Sequence, residues 1–129
     1  MKKTTFLFNI IAVTLVIGSF SSCKKEHEHS APIIVLESPI NNQTFILGDT
    51  VHIEGTATDE NELHEMSIFI KNHTGDTLFS DYPYVHAMNS HNFHYHYLPT
   101  DTGMFHIHIT ASDHDNQLSH LERVFHVMM

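Results

Sequence analysis

Histidine is the residue type that gives this chain most of its potential for chemistry. The sequence contains 14 histidines among 129 residues, and imidazole is both the commonest protein ligand for metals and a group that titrates near neutral pH. Two pairs within predicted strands have a His-x-His spacing, His94 with His96 and His106 with His108. On a β-strand, residues i and i+2 lie on one face, about 6.5–7 Å apart. Each pair can therefore converge on one ion, since imidazole nitrogens bind zinc at about 2.0–2.1 Å.

The residues between these histidines predict which face of a strand they occupy. Aromatic or aliphatic side chains alternate with them in segments 93–97, 105–109 and 125–127. Burial of those side chains stabilises a fold by about 25 cal/mol per Å², so they should face the core while the histidines face outward. A third ligand must then come from a neighbouring strand. We expect two outward groups of metal ligands, one of His106, His108 and His126 and the other of His52, His94 and His96.

The predictions of the two groups depend on different arguments. For both groups, the expected metal is zinc or copper. The first follows from a local hairpin around residues 113–117, whereas the second depends on an inferred strand pairing. Imidazole suits zinc, copper and nickel. Met104 and Met128 share the parity of the outward histidines, and their thioethers would favour copper(I). Because Cys23 is the only cysteine, a structural zinc site built from thiolates is excluded.

Simpler explanations remain open for the same residues. Outward strand positions tolerate polar side chains, so the histidines can be solvated groups that only change the surface charge with pH. The acidic segments 59–62 and 113–116 offer oxygen ligands of the kind that Ca²⁺ prefers, but Asp and Asn also cap turns without an ion. The run Glu-His-Glu-His at 26–29 is either a loose metal-capturing segment or a solvated spacer.

The charge balance argues against nucleic acid as a partner. The chain has 15 acidic and 6 basic residues, and only four of the basic ones, Lys24, Lys25, Lys71 and Arg123, lie after position 22. The formal charge from position 23 onward is therefore −11 with neutral histidines. Binding to phosphate requires clustered Lys and Arg, and the same negative charge opposes adhesion to an anionic lipid surface. Protonation of all 14 histidines would bring this charge to +3.

The first part of the chain has the three parts of an export signal. Lys2 and Lys3 precede an apolar run over 6–17, and small residues then lead to Cys23. The run is shorter than the roughly 20 residues that span a bilayer. Ser21-Ser22-Cys23 resembles the lipobox of bacterial lipoproteins, and the charged residues after it resemble signals that direct some Gram-negative lipoproteins to the outer surface. We predict a removed signal peptide at 1–22, an acylated Cys23 and a polar tether over 23–32, which would anchor the protein through lipid at the cell envelope, in the outer membrane.

The rest of the chain is predicted to be all-β. Short alternating segments are separated by turn residues every 8–12 positions, which is typical of a β-sandwich or barrel. A polar turn is expected at 59–62. The predicted strands cover 33–36, 44–47, 51–58, 65–71, 77–80, 91–98, 104–112 and 119–127.

Two stretches of this pattern resemble a known group of domains. They are Gly48-Asp49 with the alternating series Val51, Ile53, Gly55, Ala57 and Asp59, and Gly103 with Phe105, Ile107, Ile109, Ala111 and Asp113. Over residues 32–128 the chain resembles bacterial immunoglobulin-like (Ig-like) domains, and most of all small Ig-like lipoproteins of Gram-negative bacteria whose domain has no assigned function. The resemblance implies an Ig-like antiparallel β-sandwich of about seven strands over 33–129. The strands around His52 and His94 would be neighbours in one sheet, and those around Phe69, His106 and His126 in the other.

These observations lead to one leading hypothesis and one alternative. The chain lacks the Gly-x-Ser-x-Gly and His-Glu-x-x-His motifs of hydrolases, and an outward sheet face lacks a substrate pocket, so no enzyme activity is predicted. The leading hypothesis is a lipid-anchored envelope domain that binds zinc or copper through surface histidines, for capture, buffering or delivery. The alternative is a non-enzymatic adhesion or scaffold module with a protein partner in the envelope and a pH-sensitive surface charge.

Overall fold

The structure, a computed structural model, describes residues 30–129. The predicted signal peptide, Cys23 and most of the tether lie outside the described residues. Seven β-strands form the regular structure of the described part, as the all-β prediction requires. They are β1 (Ile33–Ser38), β2 (Gln43–Ile46), β3 (Val51–Asn72), β4 (Thr77–Asp81), β5 (Met88–Tyr97), β6 (Gly103–Asp113) and β7 (Leu118–Met128). Across residues 30–129, no helix has the length and apolar character needed to span a membrane.

β3 is the central element because it belongs to both layers of the sandwich. Its first half pairs with β1 and β5, and its second half pairs with β4 and β6. β6 continues to β7, and β7 pairs in parallel with β2. The strands thus form one continuous sheet that curls over itself. The expected neighbours, β3 with β5 and β3 with β6 and β7, are confirmed by these pairings.

The turn predicted at 59–62 is wrong. The chain remains a strand through these residues, and the pairing registers shift between Thr58 and Leu63 and again between Leu63 and Glu65. Glu62 has a positive φ of 74°. A β-bulge of this kind bends a strand and increases its twist, which lets β3 pass from one layer to the other without leaving strand conformation.

The core lies between the two layers and follows the predicted alternation. Buried side chains recur at every second position through most of β3 and through β6. The fully buried residues include Ile53, Ile68, Ile107 and Phe125. The rings of Phe105 and Phe125 stack at 5.1 Å between their centroids. Because these apolar residues occupy the inner face, the residues between them point outward, and the predicted orientation of the histidine-bearing strands is confirmed.

Two buried aspartates accept backbone hydrogen bonds near the bulge of β3, Asp59 within β3 itself and Asp113 at the end of β6. Asp113 Oδ1 accepts hydrogen bonds from the backbone N–H groups of Asp115 and Gln117, at 2.9 and 2.8 Å. Asp59 Oδ1 accepts one from the N–H of Asn61 at 2.7 Å. The Asp113 bonds agree with the turn-capping explanation of the segment 113–116, whereas the Asp59 bond lies within β3 at its bulge. These bonds also fix the backbone on which His64 and His114 lie.

Candidate metal centres

Three groups of side chains among the described residues have potential ligand atoms within 4.8 Å of one another. We call them the β3–β5 site, the β6–β7 site and the turn site. Their members are His52, His94 and His96 in the β3–β5 site, His106, His108 and Glu122 in the β6–β7 site, and His64, His86 and His114 in the turn site.

The β3–β5 site is built by the antiparallel pairing of two strands. His52 lies directly opposite His96, and Glu54 lies opposite His94. All three histidines are exposed, and their ring centroids are 4.5 to 5.5 Å apart. The sequence-based prediction of this group of residues therefore agrees with their observed positions, since the inferred pairing of the two strands is present.

Two distances in the β3–β5 site are close to those within a metal shell. His52 Nδ1 lies 3.2 Å from His94 Nε2, and nitrogens bound to one tetrahedral zinc ion at about 2.0–2.1 Å are about 3.3 Å apart. Glu54 Oε1 lies 3.0 Å from His94 Nε2 and 3.8 Å from His52 Nδ1. Glu54, which was not among the predicted ligands, therefore offers a carboxylate oxygen beside His52 and His94.

The β6–β7 site contains a carboxylate where a third imidazole was expected. His106 Nδ1 lies 2.7 Å from Glu122 Oε1, and this hydrogen bond lowers the pKa of the Glu122 carboxyl. The rings of His106 and His108 stand nearly parallel, 6.2 Å apart. Burial lowers the pKa of His108, which keeps this imidazole neutral.

The register of the hairpin explains why His126 lies outside this group. β6 and β7 pair so that Met104 faces His126, while Val124 faces His106 and Glu122 faces His108. His126 is therefore on the predicted face, but it pairs with Met104 and lies only diagonal to His106. The predicted trio of His106, His108 and His126 is not brought together in the structure.

A nearby cation makes the β6–β7 site less suitable for a metal ion. Lys71 of β3 lies directly opposite His106 of β6, on the same face of the sheet. Its ammonium group also contributes to the lowered pKa of His108. A positive charge beside a site repels a second cation, so the β3–β5 site is the better candidate of the two on the strands.

The turn site was not predicted from the sequence. His64 follows the bulge of β3, His86 lies in the connection between β4 and β5, and His114 lies in the turn between β6 and β7. Their ring centroids are 4.8 to 5.3 Å apart. Residues in connections have no strand parity to reveal them. The available signal was that His64 follows the acidic segment 59–62 by two residues and that His114 lies within the acidic segment 113–116.

Comparison with known proteins identifies the fold of this chain. No protein-family model matches the sequence, and no curated protein matches it either. Fibronectin(III)-like modules of CbhA from Clostridium thermocellum are 14% identical, with a TM-score of 0.52 over 74% of this chain and 94% of the module. The PKD domain of a peptidase from a Thermoplasmatales archaeon is 15% identical, with a TM-score of 0.51 over 78% of this chain and 99% of the domain.

Two further solved structures have the same likeness at lower identity. A CARDB domain from Pyrococcus furiosus, solved in complex with di-metal ions, is 10% identical with a TM-score of 0.52, over 78% of this chain and 90% of the domain. An engineered protein is 8% identical with a TM-score of 0.57, over 76% of this chain, but this chain spans only 20% of its length. At such identities the likeness establishes the fold alone. The predicted Ig-like β-sandwich is confirmed.

Proposed function

We propose that this domain binds a transition metal ion, zinc or copper, through the β3–β5 site. The observation that carries the proposal is the 3.2 Å separation of His52 Nδ1 and His94 Nε2, with Glu54 Oε1 3.0 Å from the second nitrogen. Three imidazoles and one carboxylate make a four-coordinate shell of the kind that zinc prefers. The same distances suit a hydrogen-bonded network between these groups, which is the metal-free form of the proposed site.

The strand pairing supports a site rather than a chance cluster of solvated histidines. His52 and His96 are a directly opposed pair on adjacent strands, and His94 is two residues from His96 on the same face. The backbone therefore places all three side chains on one face within reach of a single ion, before any ion binds. Protonated imidazoles at these separations would repel one another, whereas neutral imidazoles around a shared cation would not.

The donor atoms of the site indicate which metal it would bind, and their exposure indicates how the bound ion would be used. Nitrogen and carboxylate oxygen suit zinc(II) and copper(II), and the site contains no thioether that would favour copper(I). All three histidines are exposed, so a bound ion could exchange with the surroundings. Exchangeable binding suits capture, buffering or delivery at the envelope, where the predicted acylation of Cys23 would hold the domain. The acidic surface, with a formal net charge of −9 for the whole chain, would also attract cations.

Calorimetric titration of the full-length protein, purified in detergent without an affinity tag, tests this proposal. Zinc or copper(II) should bind with sub-micromolar affinity, and His96→Ala should remove one bound equivalent. His73→Ala is the matched control, because His73 is an exposed histidine outside the three groups. Equal stoichiometry in the His96→Ala variant and the wild type would overturn the assignment. Weak, diffuse binding in both would favour the scaffold alternative.

A further inference from the structure

The turn site differs from the strand sites because it adjoins a cavity. A cavity of about 590 Å³ has His64 and His86 in its wall, and this volume is within the range of small-molecule pockets, about 300–1,000 Å³. Apolar and aromatic side chains supply much of the remaining wall, including Met66, Val85 and Leu118. Two of the three imidazoles therefore face a space that a small organic molecule could occupy.

Backbone hydrogen bonds and strand pairing join three segments of the chain beside the turn site. Leu63 is fully buried and pairs with Met88 of β5 and with Asp113 of β6. The Leu63 carbonyl also accepts a hydrogen bond from the N–H of Ala87 at 3.1 Å. The residues that adjoin this junction are His64, His86 and His114, so the fold itself, and not side-chain flexibility, brings the three rings together.

The imidazoles of the turn site have free ligand positions. His64 Nδ1 is buried and has no hydrogen-bond partner, although buried polar atoms are usually satisfied. His114 Nδ1 lies 3.4 Å from the Glu62 carbonyl oxygen, and donation from Nδ1 leaves Nε2 of the same ring as the metal-binding atom. Tyr84 stacks against His86 with 6.4 Å between ring centroids and 16° between planes.

We propose that the turn site binds zinc or copper and that the bound ion holds the carboxylate of a small aromatic or aliphatic acid in the adjoining cavity. Three protein nitrogens leave a fourth position of a tetrahedral ion open. Because imidazole is neutral, a divalent ion there keeps its full positive charge and favours an anionic donor. This site is separate from the β3–β5 site, and the proposal does not depend on metal binding at the latter.

The charges around the cavity predict that an acid would bind there only when the metal ion is present. Among the described residues that line the cavity, none is Lys or Arg, and Glu65 is acidic. A carboxylate therefore has no protein cation to pair with, and the acidic surface repels it. Binding of the acid should consequently require the metal ion, whereas binding of an uncharged molecule of the same shape should not.

Fluorescence titration with 2-naphthoate tests this proposal on the full-length, tag-free protein. The acid should bind the zinc-loaded protein and should not bind protein stripped with a chelator, and neutral 2-naphthamide should show no dependence on zinc. His86→Ala and His114→Ala, both at exposed positions, should each weaken zinc at this site at least about tenfold and abolish binding of the acid. Leu118→Asp should retain zinc but lose the acid, with Leu98→Asp, at an exposed position outside the cavity, as the control.

The outcomes separate this proposal from the metal site on the strands. His96→Ala should leave zinc-dependent binding of 2-naphthoate intact, because His96 belongs to the other site. Zinc-independent binding of the acid, or no binding to fully zinc-loaded protein, would overturn the proposal without affecting the β3–β5 site. Unchanged binding in both His86→Ala and His114→Ala would overturn it equally.

Discussion

At the scale of single residues, Glu54 decides how complete the β3–β5 site is. Its carboxylate is 3.0 Å from His94 and is partly exposed. We expect Glu54→Gln to weaken zinc binding roughly 10- to 100-fold, as loss of a ligand or its orienting group typically does. The stability of the metal-free protein should change by less than about 0.5 kcal/mol, because exposed ion pairs contribute little. Competition titration with a chromophoric chelator and urea unfolding measure the two effects, and an unchanged zinc affinity would remove Glu54 from the site.

Gly55, the next residue, is required by the packing of three strands. A Cβ atom at this position would lie 2.2 Å from the Val35 carbonyl oxygen and 2.6 Å from Phe93 Cζ. The oxygen belongs to the backbone of β1 and can move only if β1 separates from β3. We expect Gly55→Ala to destabilise the fold by about 1–3 kcal/mol, measured by urea unfolding. Ser80→Ala, at an exposed position, should change stability by less than about 0.5 kcal/mol, and equal stabilities of the two variants would contradict this packing.

Residue types and parity, together with the strand pairing that the resemblance to Ig-like domains implied, were enough to predict one of the three groups of ligands. The aromatic residues of β5 must be buried, so His94 and His96 must face outward, and His52 has the same parity on the paired strand. The third ligand of the β6–β7 site could not be predicted in this way. Its identity depends on which residue of β7 pairs with His106, and moving β7 by two residues along β6 would exchange one candidate ligand for another. Both Glu122 and His126 have the correct parity, and only the hairpin geometry distinguishes them.

At the scale of elements, β3 is the strand in which a local sequence pattern led to a wrong prediction, that of a turn. The sequence Asp-Glu-Asn-Glu at 59–62 is typical of a turn, yet the chain remains a strand. Tertiary context overrides the local preference here, because Asp59, Ala57 and Leu63 are all buried and Asn89 donates hydrogen bonds to the carbonyl oxygens of Asp59 and Glu60. The position of His64, and with it the turn site, follows from this bulge and could not be inferred from periodicity.

The register of β6 and β7 yields a gain-of-function prediction. Val124 lies directly opposite His106, on the outward face. Val124→His should add an imidazole to His106, His108 and Glu122 and raise zinc affinity at the β6–β7 site, whereas His126→Ala should leave it unchanged. Calorimetry in a His96→Ala, His86→Ala background isolates this site. A loss of zinc affinity in His126→Ala would show that the hairpin has a different register from the one described.

At the scale of the whole molecule, stability should fall in acid. The pKa of His108 is lowered below its ordinary 6.5 by burial, so the unfolded chain takes up this proton first as pH falls below 6.5, and the folded state loses stability there. The lowered pKa of Glu122 stabilises the fold above 4.5, and this contribution is lost as pH falls through the folded value. Urea unfolding from pH 8 down to about pH 2 should show both losses. His108→Gln should remove the loss near 6.5, and stability that rises on acidification would contradict the assignment.

The predicted anchor and the observed fold are compatible in their geometry. β1 begins at Ile33 and pairs with Thr58, next to the bulge of β3, so the tether joins the domain at the end that carries the turn site. The fold class agrees with what the sequence implied, while the lipid anchor stays a prediction for residues outside the described range.

The position of a bound ion tests the central claim most directly. Crystals of the protein loaded with one equivalent of zinc, in the His86→Ala background that disables the turn site, would reveal the ion by anomalous scattering at the zinc edge. The account predicts one strong peak about 2.0–2.1 Å from nitrogens of His52, His94 and His96, with the Glu54 carboxylate as the fourth donor. A peak elsewhere, or an ion held by fewer than three of these imidazoles, would contradict it.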